Sequence, residues 1–176
     1  MADSNISEAM KAAVGTETSR STSYPISESD IRKWAMAVYW PDKAPDVFTD
    51  PAAAAKTVHG RLVAPEDFNP FAWASATDEL LLKSALPESR EHDPDGPELA
   101  LGIAGPGLTY QLNGGIVCEY GVRMGAGDVI IGTNSVGEYN EREGRLGQML
   151  FSRTIVTWVN QSDELVKRTT NTLIRY

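Results

Sequence analysis

Histidine and cysteine are scarce in this chain: it has two of the former and one of the latter in 176 residues. A metal site built from imidazole and thiolate ligands needs more than that, so no metal centre is expected. The lone cysteine, Cys118, excludes an internal disulfide and suits a reducing compartment. It reads as a small buried apolar residue in a strand. No run approaches the ~20 apolar residues of a membrane span. The start, MADSNISEAM, lacks the basic end and apolar core of a secretory signal, so a soluble, cytoplasmic protein is expected. Basic blocks are also missing, and a formal charge of -8 opposes a phosphate backbone, which argues against a nucleic-acid partner. No G-x-S-x-G is present to form a serine-hydrolase elbow. Gly105-Pro106-Gly107 lacks the Lys-Ser/Thr ending of a phosphate loop.

What is present suits a single globular domain, with an ordinary hydrophobic share of 41%. Residues 1–15 read as a flexible N-terminal segment, although Ser7 to Val14 can form two helical turns. Thr16 to Tyr24 permits a first strand. The clearest local signal follows: Ser27 as cap, Asp30 three residues on, and Ile26 with Ile31 as a staple pair predict a helix from Glu28 to Tyr39. Ile31, Trp34, Ala35 and Val38 share its apolar face. Pro41 ends it, the loop to Asp50 is rich in turn residues, and Asp50-Pro51 caps a short helix through AAAAKTV.

His59 to Trp73 is read as the start of a central helix. Pro65 suits a first helical position, Glu66 and Asp67 suit the first turn, and Phe68, Phe71, Ala72 and Ser75 recur at helical spacing. Pro70 interrupts this pattern at a cost of about 3 kcal/mol in a helix interior. The helix therefore either kinks there or restarts with Asn69 as its cap; both versions make 71–76 helical. Thr77 to Ala85 continues it or forms another helix, with Leu80 to Leu82 covering an open edge. Residues 87–107 read as an irregular excursion. From Asn113 the period changes to that of strands, covering 113–124, 127–144, 147–160 and 164–176, with turns at Gly125–Asp128, Gly144–Gly147 and Asn160–Asp163. The run from Met149 to Thr157 is partly apolar on both faces, which fits a sheet that curls around a helix on one side and meets another subunit on the other. The fold class is α+β, a long antiparallel sheet wrapped around a central helix, with 16–176 as one domain.

Taken in order, IRKWAMAVYWPDKAPDVFTDP, HGRLVAPEDF, LNGG with a long strand, YNEREGRLGQMLF and VNQSDELVKRTTNTLIRY resemble the MaoC-like hot-dog dehydratases, in particular their N-terminal or FAS1-like type. The resemblance runs from about Ser7 to Tyr176. It implies a hot-dog fold, pairing of two such units edge to edge, and, in the members that are enzymes, (R)-specific 2-enoyl-CoA hydratase or 3-hydroxyacyl dehydratase activity. Coenzyme A then enters as the substrate's thioester, and no separate cofactor is implied.

Active members carry G-D-x-N-P-x-H, whose Asp and His handle a water and a proton. Here Asp42 matches the Asp and Pro45 the Pro. Pro41 stands for Gly, Ala44 for Asn, and Val47 or Phe48 for the His. General acid–base chemistry near neutral pH wants a group that titrates there, and a carboxylate in an ordinary loop does not. The resemblance thus implies a chain without a complete dyad, paired as a heterodimer or heterotetramer with a second hot-dog chain that has one. Trp40, Asp42, Val47, Phe48, Phe68 and Phe71 become candidates for an acyl tunnel. Asp42, His59 and Gly60 remain weak catalytic candidates, Gly60 because the matching H-G segment can place a backbone N–H toward a thioester enolate. His59 also reads as a helix-end packing residue, and His92 as solvated. Glu66 and Asp67 stand where some hot-dog thioesterases place a carboxylate, but they equally suit a helix start. Arg142 and Arg145 are weak candidates for the phosphates of coenzyme A, or simply an exposed hairpin tip.

Overall fold

The computed structural model describes residues 4–72 and 93–176. Helix α1 (Glu8–Ala13) is followed by strand β1 (Glu17–Thr22), helix α2 (Glu28–Tyr39), and the short helices α3 (Asp46–Thr49) and α4 (Pro51–Ala54). After 93 come the short α5 (Gly96–Ala100) and strands β2 (Gln111–Tyr120), β3 (Ile131–Gly144), β4 (Gly147–Val159) and β5 (Leu165–Arg175). The strands form one five-stranded sheet in the order β1-β3-β4-β5-β2. All of its pairings are antiparallel.

Local chemistry explains the helix starts. The Ser7 hydroxyl accepts from the Met10 amide, and Met10 and Ala13 are buried, so the described part of the N-terminal segment carries a packed helix. The Ser27 hydroxyl accepts from the Asp30 amide at 3.0 Å, as the capping pattern predicts. Ile31 and Ala35 are fully buried, and Trp34 packs beside them. Val38 is the exception on that stripe and is exposed. The last turn of α2 is covered on another side, where Phe48 of α3 packs 6.0 Å from Tyr39. Asp50 caps α4, which stops at Ala54 and does not extend through the rest of AAAAKTV.

The segment read as the opening of a central helix is extended and turned as far as Asn69. The Ala64 amide donates to the Met124 carbonyl at 2.8 Å, and Val63 bridges to Gly125. The Phe68 amide closes a turn on Pro65. Leu62, Val63 and Ala64 are buried in the core by this pairing, a burial that a helix beginning at Pro65 would have to share with the strand-like run before it. The restart version matches the described geometry: the Asn69 side chain accepts from the Phe71 amide at 2.9 Å. Ser75, the helix expected at 73–85, the cover over an open edge by Leu80 to Leu82, and His92 lie outside the described residues.

Side chains two apart on a strand share a face. The β4–β5 register therefore lines up Leu150 with Arg175, Thr154 with Asn171 and Trp158 with Lys167 along one face. The two described ends flanking 73–92 meet opposite ends of that face: Phe71 packs 5.5 Å from Trp158, and Glu98 pairs with Arg175. The hydrophobic core, including Ile31, Phe48, Leu62, Phe68, Ile130 and Val166, lies toward the Trp158 end. β2 is an edge strand with every residue exposed. This overturns the reading of Cys118 as buried, because an edge strand has a neighbour on one side only.

Candidate functional site

An open groove of about 460 Å³ lies where α2 meets the turn before residue 73. Ile26, Trp34, Ala37, Phe68 and Pro70 give it apolar walls, and Asp30 and Lys33 stand at its rim. Trp34 meets Phe68 edge to face at 5.6 Å. Its indole nitrogen is buried without a hydrogen-bond partner among the described residues. The helical spacing of Ile31, Trp34 and Ala35 fixes this wall, because the residues that bury the helix also hold the indole in place.

The structure separates the tunnel candidates. Phe68 lines the groove, whereas Phe71 is not among its lining residues and packs on Trp158. Phe48 is buried in the core with Val47 packed against it. Trp40 is 81% exposed, and Asp42 is also at the surface. Among the described residues no imidazole hydrogen-bonds Asp42.

His59 and Gly60 lie in an exposed turn at a different concavity, shared with Arg61 and Arg123. The Gly60 amide donates to the Thr57 carbonyl at 3.1 Å, and its φ of +65° is the left-handed conformation that suits glycine. No helix starts there, so the oxyanion role considered for Gly60 lacks both a helix N-terminus and a free N–H. Arg142 and Arg145 are exposed at the β3–β4 hairpin, where Arg142 lies over the Phe151 ring at 5.4 Å. That hairpin is at the other end of β4 from Trp158.

Glu66 and Asp67 do not open a helix. Glu66 pairs with Arg123 at 2.7 Å. Asp67 accepts from the Tyr120 hydroxyl at 3.3 Å and lies 4.0 Å from the Lys167 ammonium. Desolvation first, and then the Asp67 charge, push the Tyr120 phenol up to about 12, so it keeps its proton and serves as a hydrogen-bond donor near neutral pH. Tyr120 is placed where β2 leaves the sheet and the Gly121 backbone crosses that of β5. A Cβ on Gly121 would collide with the Leu165 carbonyl.

Two ion-pair sites escaped the sequence reading. Arg61 makes a bidentate pair with Asp128 at 2.8 and 2.7 Å. Burial works against the Asp128 carboxylate, but the Arg61 guanidinium and the Gly125 amide outweigh it and hold its pKa below the usual value. At the far end of the sheet, fully buried Arg175 donates to Glu98, Asp95 and the Pro94 carbonyl. The Tyr139 hydroxyl also donates to Glu98, at 2.8 Å. Burial, and then the Glu98 carboxylate, push the Tyr139 pKa upward. The network pins α5, inside the excursion read as irregular, onto the sheet. The one sequence signal was an arginine in the last strand at an inward position of the alternation.

A single five-stranded antiparallel sheet accompanied by a few short helices is the frame of a hot-dog protein. The family model described as FAS1-like, dehydratase domain region, matches residues 12–169. The chain belongs to that family, and its fold is the hot-dog fold of the MaoC-like dehydratases. Similar solved structures include a chain of the ChsH1-ChsH2 complex from Mycobacterium tuberculosis (TM-score 0.64, 17% identity, covering 96% of this chain and 89% of that one). Another is the MaoC-like dehydratase from Rhodospirillum rubrum (TM-score 0.53, 17% identity, 93% and 92% covered). A third is the R-hydratase PhaJ1 from Pseudomonas aeruginosa (TM-score 0.52, 20% identity, 92% and 81% covered). No curated protein matches the chain. Among the described residues no helix is long and apolar enough to cross a membrane.

Proposed function

We propose that this chain is the non-catalytic, substrate-accommodating subunit of a MaoC-like (R)-specific 2-enoyl-CoA hydratase, working in the cytoplasm with a second hot-dog chain that carries the Asp/His dyad. The observation that carries this reading is the state of the family's catalytic loop. Asp42 is exposed with no imidazole bonded to it among the described residues, and Val47 and Phe48 pack toward the core where the family places its histidine. A solvated loop carboxylate is a poor general base or acid near pH 7.

Two features support the partner. β2 is an edge strand with Leu112, Ile116 and Val117 exposed along it, and an exposed apolar edge invites pairing with another strand. The ChsH1-ChsH2 neighbour is itself a two-component complex. The groove beside Trp34 and Phe68 supports an apolar acyl group, and its volume of about 460 Å³ suits a bulky one such as a polycyclic steroid ester or a long chain. The substrate is an acyl-CoA, and no other cofactor enters the proposal.

Native mass spectrometry of the chain, alone and after co-expression with a hot-dog chain carrying an intact D-x-N-P-x-H, tests the assembly. A mixed dimer or tetramer that forms at the expense of the single species is the expected result. A stable homodimer that ignores the second chain and binds acyl-CoA would replace this reading with a non-enzymatic acyl-thioester-binding homodimer.

A further inference from the structure

Arginine offers five N–H donors in a flat fork that matches the oxygens of a phosphate. A fork already fixed in place loses less freedom when such a group binds. Val63 and Gly125 face each other across an antiparallel bridge, and beside it the Ala64 amide donates to the Met124 carbonyl. Side chains that are opposite each other, or two apart along a strand, share a face, so this short ladder sets Arg61, Val63 and Arg123 on the same side. With His59, Gly121 and Val122 they line an open concavity of about 340 Å³. No carboxylate is among those lining residues, although the chain has 24 acidic side chains against 16 basic ones, so the grouping runs counter to the overall charge.

Both guanidinium groups are held by carboxylates that lie outside that lining. The Asp128 side chain, 4% exposed, takes two of the five Arg61 donors at 2.8 and 2.7 Å and itself accepts from the Gly125 amide at 2.8 Å. The Arg61 fork also rests on the backbone at Gly125, where a Cβ would come within 2.7 Å of its Cζ and Nε. Glycine makes the room. Arg61 is nevertheless 44% exposed and has three donors that Asp128 does not take. Arg123 is 33% exposed, with Glu66 2.7 Å from one of its terminal nitrogens. The Gly60, Gly121 and Val122 amides are already bonded to the Thr57, Val166 and Leu165 carbonyls, so recognition here falls to the side chains.

We infer that the concavity lined by Arg61 and Arg123 binds a phosphate group, whose oxygens take guanidinium donors that Asp128 and Glu66 leave over. Asp128 and Gly125 set the position of one fork in advance, and the second supplies charge from the same face. Coenzyme A carries such groups, a monoester on its ribose and a diphosphate; that source rests on the acyl-thioester reading above.

The test is calorimetry on the full chain with inorganic phosphate, adenosine 3′,5′-bisphosphate, 2-decenoyl-CoA and 2-decenoyl-pantetheine, the last having the thioester and no phosphate. The bisphosphate should bind the wild type, and more weakly as salt is raised. Arg123→Gln should weaken the bisphosphate and decenoyl-CoA roughly tenfold, the usual effect of losing a hydrogen bond to a charged group, and leave decenoyl-pantetheine as it was. Arg123→Lys should keep part of the affinity. Arg61→Gln joined to Asp128→Asn should act like Arg123→Gln without leaving a buried carboxylate unpaired. The assignment is overturned if the wild type binds no phosphate probe, if either folded neutral variant keeps full affinity for the bisphosphate, or if the phosphate-free ester is weakened as much as decenoyl-CoA. It is also overturned if the loss appears only in an Arg142→Gln, Arg145→Gln protein. Binding of the bisphosphate through Arg61 and Arg123 with no binding of either decenoyl ester, alone or with a partner chain, would uphold the phosphate site and sink the acyl-thioester reading. Tight decenoyl-CoA binding untouched by the variants would do the reverse.

Discussion

The two ends of the sheet face that runs from Arg175 to Trp158 carry the same kind of charge in opposite conditions. At one end Arg175 is fully buried and donates to two carboxylates and a carbonyl. At the other Lys167 is nearly buried, yet its closest carboxylate oxygen is 4.0 Å away. A network that gives both terminal guanidinium nitrogens their acceptors, with only Nε left unpartnered among the described residues, holds α5 against the sheet. The Lys167 ammonium has two aromatic rings and a distant carboxylate in place of such acceptors. The contrast teaches that burial of a cation is not by itself a sign of structure or of function. What decides is whether the fold supplies the acceptors.

The largest expected effect breaks the closed end. Arg175→Met leaves Glu98 and Asp95 without their counter-charge, and removing one partner of a buried ion pair costs about 3–5 kcal/mol. The midpoint of urea unfolding should fall accordingly, and a change below ~1 kcal/mol would mean that the network is not holding the excursion.

Asp128, which flanks the open end through Arg61, should give a smaller effect that depends on pH. Its folded pKa lies below the reference value of 3.8, so the stability it adds is present above that value and is lost as the pH falls through the folded pKa. Asp128→Asn should cost about 2 kcal/mol at pH 7, in the range for hydrogen bonds to charged groups. It should also flatten the decline of stability below pH ~4, measured by denaturant titration across pH. A variant with the wild-type acid profile would show that this pair is not the group being titrated.

Tyr139→Phe removes one of several donors to Glu98 while Arg175 stays, so about 1 kcal/mol is expected at the closed end. Lys167→Met should be the mildest of the four for stability. With no hydrogen bond to lose and the stem still packed on Trp158, its unfolding midpoint should move by less than about 1 kcal/mol. A loss as large as that of Arg175→Met would make Lys167 a structural cation and erase the comparison.

Much of the fold was legible because it is written locally. Ser27, Asp30, Ile26 and Ile31 set the start of α2, and the period-two runs with their glycine and asparagine turns set β3, β4 and β5. Pro70 and Asn69 marked a turn, in which the Asn69 side chain accepts from the Phe71 amide, while the helix expected beyond it lies outside the described residues; the stretch before turned out to be extended, through pairing with Met124 and Gly125 that no local pattern encodes. Exposure of Cys118 depends on strand order, which alternation alone does not give. In the letters alone, Val47 or Phe48 stands where the resemblance aligns the family's histidine. Arg175 with Glu98, Arg61 with Asp128, and the box around Lys167 were not. Each joins residues far apart in sequence, and a lysine in a strand looks the same whether its ammonium meets water, a carboxylate or two aromatic rings.

The most direct test of the account is the hydration of a 2-enoyl-CoA, followed by loss of the conjugated enoyl absorbance, with the purified chain alone and again with a dyad-bearing hot-dog partner. The account predicts no turnover alone, turnover with the partner, and little effect of Asp42→Ala on the complex. Full activity of the isolated chain, abolished by Asp42→Ala, would contradict it.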